Sequence, residues 1–327
     1  MSALGQKASP LLVALAMFSL YFFWGSTYLA IRWAVQGYPP FFMAAIRNLA
    51  AGLIVYAFVR ARGAPRPAIG EWKSTAIVGA MLLLGGNGLV TFASKYLPSG
   101  LVAVLVAMLP LWMVLLDRPR GADGRRAGIN PVVLAGVIIG FCGVALLIAP
   151  KIVDAIRHLG ESGDARMQGV AAACTIVSSL SWACGSLYSR RVGKNGGSQH
   201  LFRNTGMQLM CGGGLLLIAS LAFEHPWTVS RETVFASPWP TIALGYLIVF
   251  GSLVGYSSYI WLLGVVPASR IATYAYVNPV VAIGLGWLIG GEKLSVRVLA
   301  AAAIIIAAVA VIVSSRGKTS TPTPKDG

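Results

Sequence analysis

At 327 residues, 57% hydrophobic and only 11% charged, with a mean hydropathy of +0.74, the chain carries less than half the ~25% charge of a soluble domain, so water cannot be the solvent for most of its surface. Its net charge of +16 does not point to nucleic acid, because the Lys and Arg residues fall in short loops between apolar runs and not on one helix or patch. The four cysteines (Cys142, Cys174, Cys184 and Cys211) all lie inside apolar runs without CxxC or Cys/His spacing, which leaves no basis for a disulfide, a metal or any other cofactor.

Apolar runs of about 20 residues, enough to cross a ~30 Å hydrocarbon core, recur along the whole chain. They predict ten spans, at 11–35, 40–59, 74–96, 99–117, 130–149, 168–189, 201–222, 240–263, 269–289 and 296–314. The first follows Lys7 as a signal-peptide core would, but it is too long for one and reads as a retained helix. The longest connections are 150–167 and 223–239, and the polar tail 315–327, with Thr-Pro-Thr-Pro-Lys, is expected to be disordered. If residues 1–10 are cytoplasmic, 17 basic residues lie in or next to cytoplasmic segments and 8 on the opposite side, and Arg47 alone sits well inside a span. The positive-inside rule then places both termini in the cytoplasm of a multi-pass protein among membrane lipids.

The two halves repeat. Pro98 and Pro110 map onto Pro267 and Pro279 by one shift of 169 positions, and Gly86 maps onto Gly255 by the same shift. Upstream, Ser19-Leu20 through Gly25-Ser26-Thr27-Tyr28 matches Ser179-Leu180 through Gly185-Ser186-Leu187-Tyr188 at a shift of 160. Residues 11–149 and 168–314 therefore read as one unit used twice. Each unit has an odd number of spans, so the second enters the membrane from the other side. Inverted repeats of this kind belong to secondary transporters, where exchanging the conformations of the halves turns an outward-open cavity inward.

Trp24-Gly25-Ser26-Thr27-Tyr28, Pro39-Pro40, Arg47, Leu97-Pro98-Ser99-Gly100, and Tyr274-Ala275-Tyr276-Val277-Asn278-Pro279 with Gly291-Glu292 resemble the EamA-type branch of the drug/metabolite transporter superfamily, and within it bacterial exporters of amino acids and related metabolites. The resemblance covers residues 11–314. It implies an all-α membrane fold of ten helices around a central cavity, with bent fourth and ninth helices that gate it, in a bacterial inner membrane.

Polar groups inside spans should face a cavity or a neighbouring helix. Asn87, Thr91 and Ser94 share a helical face in span three, and Ser252, Tyr256 and Tyr259 share one in span eight. In span nine Thr273, Tyr276 and Pro279 share a face with Asn278 beside it. Trp24 and Ser26 in span one lie in the region equivalent to Cys184 and Ser186 in span six, with Trp182 nearby. Trp24, Ser26, Asn87, Thr91, Trp182, Ser186, Tyr256, Tyr259, Tyr276 and Asn278 are thus the candidate substrate-binding residues. The competing reading is that these side chains only hold helices together. Pro110 and Pro279, each mid-span, are candidate hinges, or else static kinks. Arg47 reads first as a structural charge near the cavity mouth and second as a ligand for a substrate carboxylate. Glu292 is expected to cap span ten.

All ten acidic residues fall in loops or at span ends, so no buried carboxylate is available to relay protons. The three histidines (His158, His200 and His225) are scattered through connections, and no catalytic constellation emerges, so an enzyme is not expected. The resulting expectation is a transporter of small zwitterionic metabolites, most of all amino acids. The alternative is an exporter of lipophilic drugs or lipid-like metabolites on the same fold. The sequence leaves the oligomeric state open.

Overall fold

The computed structural model describes residues 9–116, 163–192, 201–228, 237–266, 271 and 274–317, with residues 131–132, 134–136, 138–140, 142–143 and 146 in addition. Helix runs through the described residues, with no strand among them. In chain order the helices are α1 (Pro10–Ala34), α2 (Pro40–Ala61), α3 (Ile69–Tyr96), α4 (Ser99–Val106 continued by Leu109–Leu116), α5 (the helical residues between 131 and 146), α6 (Gly163–Val192), α7 (Leu201–Phe223), α8 (Trp239–Val265), α9 (Tyr274–Leu288) and α10 (Val296–Gly317). Six of them (α1, α2, α3, α6, α7 and α8) are long and apolar enough to cross a membrane, and shorter apolar stretches occur in α4, α9 and α10. Large apolar side chains point outward, among them Phe58 (57% exposed), Ile218 (65%) and Leu288 (69%). Exposure on that scale suits lipid and not water.

Proline opens α1 at Pro10 and α2 at Pro40, where a helix has no use for the missing N–H. Helix α3 begins at Ile69, ahead of its apolar run, because the Glu71 carboxylate in its first turn accepts from the Ala68 N–H (2.7 Å). Hydropathy does not register such a polar turn. For the same reason α6 starts at Gly163 within the expected connection 150–167, and α10 continues to Gly317, past the expected end of its span.

Helices α2 and α7 pack antiparallel. Gly213 lies on Leu49 and Gly206 on Tyr56, and Glu224, just past α7, accepts from the Phe41 and Phe42 N–H groups at the start of α2 (2.7 and 3.0 Å). At the opposite end buried Arg203 pairs with Glu71 and donates to the Pro65 carbonyl (3.1 Å). Helices α1 and α8 also run antiparallel, with Trp24 on Gly255 and Ser26 Oγ 2.6 Å from Tyr246 Oη. So do α6 and α3, with Trp182 on Gly86 and Gly185 on Met81 and Leu82.

Glu292 corrects an expectation. It does not cap α10; its carboxylate accepts from the Ser99 N–H at the start of α4 (2.8 Å) and pairs with Arg32 (3.3 Å). Gly291, at φ +63°, supplies the left-handed turn that brings Glu292 there. Four unpaired amides at a helix start are a stronger draw for a carboxylate than its own sequence neighbours.

Candidate functional site

Three helices leave regular α winding for the wider π form: α1 at Ser19–Phe23, α3 at Ala80–Gly88 and α8 at Leu247–Tyr256. All three enclose one central cavity of about 70 Å³, room for a few water-sized groups. The π segments supply much of its wall: Leu83, Gly86 and Asn87 from α3, and Gly251, Ser252 and Tyr256 from α8. Such widened turns recur at functional sites because they turn side chains and backbone groups off the regular spiral.

Trp24 on α1 and Trp182 on α6 pack edge to face in the cavity wall, ring centroids 5.6 Å apart and nearly perpendicular. Trp24 donates through Nε1 to the Gly251 carbonyl (3.0 Å) and Trp182 through Nε1 to Tyr259 Oη (3.2 Å). Tyr259 and Tyr274 close the cluster, 5.1 and 5.6 Å from the Trp24 ring. The result is an aromatic wall in which every indole N–H is already used.

The polar side is built on α2 and α8. Arg47 is 5% exposed, and its Nε donates to Ser252 Oγ (2.8 Å). Ser252 in turn donates to Asn48 Oδ1 (3.2 Å), whose Nδ2 donates back to the Ala44 carbonyl (2.9 Å). Arg47 Nη1 is buried with no hydrogen-bond partner, and so is Asn87 Oδ1 on α3. Both residues line the cavity. Tyr256 Oη donates to Gln208 Oε1 (2.9 Å).

Of the candidate residues, Trp24, Asn87, Trp182 and Tyr256 line the cavity together, and Arg47 joins them. Tyr259 backs the aromatic wall. Ser186 is fully buried behind it, donating to the Trp182 carbonyl (2.7 Å) and lying 2.8 Å from Tyr259 Oη. Thr91 and Ser94 are fully buried and turned back onto their own helix, to the Asn87 and Val90 carbonyls (2.8 and 2.9 Å). Ser26 is bound to Tyr246 and to the Phe23 carbonyl (2.8 Å), outside the lining. Asn278 also lies outside it: with its amide oriented to donate, Nδ2 reaches the Leu20 and Tyr21 carbonyls (2.9 and 3.2 Å) in the widened turn of α1. The side chain of Tyr276, and Thr273, lie outside the described residues. Helix α4 is interrupted at Ala107 and Met108 just ahead of Pro110, whereas α9 runs unbroken through Pro279.

Asn48, Thr27, Tyr28 and Ser178 also reach the cavity, although sequence periodicity did not single them out. Asn48 had one signal available: it is a second buried polar group beside the only mid-span cation.

A helical membrane fold with a polar, aromatic cavity between helices far apart in sequence defines a solute transporter. The profile of the EamA-like transporter family matches residues 11–149 and 169–314, and the chain belongs to that family. It is 34% identical over 304 residues, spanning 91% of this chain and 89% of the relative, to the "Uncharacterized inner membrane transporter YedA" of Escherichia coli (strain K12). It is 24% identical over 292 residues (87% and 89%) to the "Probable amino-acid metabolite efflux pump" of Salmonella typhimurium (strain LT2). A crystal structure of another protein, at 19% identity, shares the fold with a TM-score of 0.62 over 94% of this chain and 98% of that one.

Proposed function

We propose that the protein is a secondary transporter of small zwitterionic metabolites, amino acids above all, in a bacterial inner membrane. It works by alternating access between two inverted five-helix repeats, 11–149 and 168–314, with both termini cytoplasmic. The carrying observation is the central cavity, whose wall draws on α1–α4 from one half and α6, α8 and α9 from the other. The antiparallel packing of α2 against α7 supports inverted halves. So does the reciprocal placement of Trp24 on Gly255 and Trp182 on Gly86, two glycines that the shift of 169 relates. A 70 Å³ space, with amide, guanidinium and hydroxyl groups set into an otherwise aliphatic and aromatic wall, suits a small solute with a polar end better than a bulky lipophilic one. The name of the Salmonella relative agrees with this choice.

Glu71, Glu224 and Glu292 are all committed to helix starts or ion pairs, so the cycle is read as exchange down a substrate gradient without a carboxylate proton relay. Uptake of each radiolabelled amino acid into proteoliposomes, beside a lipophilic drug, tests the proposal. Saturable amino-acid flux is expected. Flux of the drug with none of the amino acids would overturn it, and obligate proton antiport would overturn the coupling reading.

A further inference from the structure

We infer that Arg47 is the carboxylate-binding and charge-selecting residue of the cavity, so that cargo must present an anionic group to it. The inference rests on the reading of the cavity as the transport route, and it favours the second of the two roles the sequence allowed this residue over the structural one.

A guanidinium offers five N–H donors in a planar fork that matches a carboxylate. On Arg47 the Nε edge is held by Ser252, itself fixed by Asn48. That contact orients the fork without neutralising it. Nη1 remains buried and unpartnered. Gly251 makes room for the fork itself, since a β-carbon there would fall 2.6 Å from Nη2.

Among the described residues no carboxylate pairs with Arg47. Glu71 pairs with Arg203, Glu292 pairs with Arg32, and Glu224 holds the start of α2. A cation taken out of water without a counter-charge is strongly unfavourable, and a purely structural anchor would not leave one edge of the fork unused. Across the same cavity Asn87 presents a buried acceptor, Oδ1, also without a partner. One unfilled donor on a cation and one unfilled acceptor, on two residues that line a single small space, match the two ends of an α-amino acid, carboxylate to Arg47 and ammonium to Asn87.

The test uses the full chain in detergent and in proteoliposomes, with 4-methylpentanoate, 4-methylpentanamide, chloride and L-leucine as probes. Thermal unfolding reads binding; L-leucine counterflow reads transport. In the wild type the carboxylate should stabilise the protein and the isosteric amide should not. Arg47→Gln should weaken apparent carboxylate affinity by about 10-fold to 100-fold, the range expected for losing a hydrogen bond to a charged group. Arg47→Lys, which keeps the charge, should retain part of it and serves if Arg47→Gln does not fold. Equal stabilisation by acid and amide, or a carboxylate effect that survives Arg47→Gln, overturns the inference. Stabilisation by chloride that the carboxylate does not displace also overturns it, by making the site a structural halide site. Arg47-dependent carboxylate binding without leucine flux would instead leave the inference standing and count against the transport reading.

Discussion

Trp24 and Gly255 are fitted to each other: a β-carbon on Gly255 would lie 2.2 Å from the Trp24 indole nitrogen, which donates to the Gly251 carbonyl one turn away. Only glycine lets α8 carry its widened turn against the indole. The same arrangement joins Gly86 to Trp182, where an added β-carbon would fall 2.6 Å from Cε3.

Gly255→Ala should therefore displace Trp24 and cost about 1–3 kcal/mol, the usual penalty for overpacking. Gly86→Ala should act similarly through Trp182. Thermal unfolding of the purified variants checks both. An unchanged midpoint for either would show that its indole moves freely, contrary to the packing described.

Tyr256→Phe removes the donor to buried Gln208 Oε1 between α8 and α7 and should destabilise by about 1–3 kcal/mol, the cost of stranding a buried acceptor. Replacing Gln208 with Leu in the same background should recover part of that loss. A double-mutant cycle with no coupling would mean the two side chains are not bonded.

Glu292 ties Arg32 to the start of α4. Glu292→Ala should unpin that helix start and lower stability by about 1–2 kcal/mol, and Glu292→Gln, which keeps an acceptor, should lose less. Equal losses in the two variants would assign the effect to charge alone and not to capping.

Asn87→Ala should lower L-leucine counterflow about tenfold without lowering expression, because it removes an unfilled acceptor from the cavity wall. Thr91→Ala, at a side chain bonded to its own helix, should leave flux near the wild-type rate. Equal effects of the two would remove Asn87 from the site.

Orientation is checked by placing one cysteine at Lys318 in a cysteine-free background. A membrane-impermeant thiol reagent should reach it only after the cells are opened. Labelling in intact cells would place the tail outside and reverse the charge argument.

The solvent of this protein is legible in its composition, and so is the placement of most helices, because a span must be apolar over a fixed length whatever it packs against. The boundaries of α3 and α6 were harder to read, since their first turns are polar, and that of α3 is stabilised locally by the Glu71 cap. The polar stripes were readable only in part. Asn87, Thr91 and Ser94 share a face on an ideal helix, yet only Asn87 opens to the cavity. The widened winding of Ala80–Gly88 moves it off the regular spiral, while Thr91 and Ser94 bond to carbonyls of their own helix.

Sequence alone determined that the chain lives in a bilayer, that its charges other than Arg47 sit in loops or near span ends and that its halves echo each other, because hydrophobic thickness and the positive-inside bias act on each segment independently. Tertiary structure alone decided that Arg47 has no acid beside it among the described residues, that Glu292 serves α4 instead of α10, and that Asn278 steadies α1 instead of lining the cavity. Inside a membrane every polar group must find a partner, and which partner it finds depends on which distant helix is packed beside it.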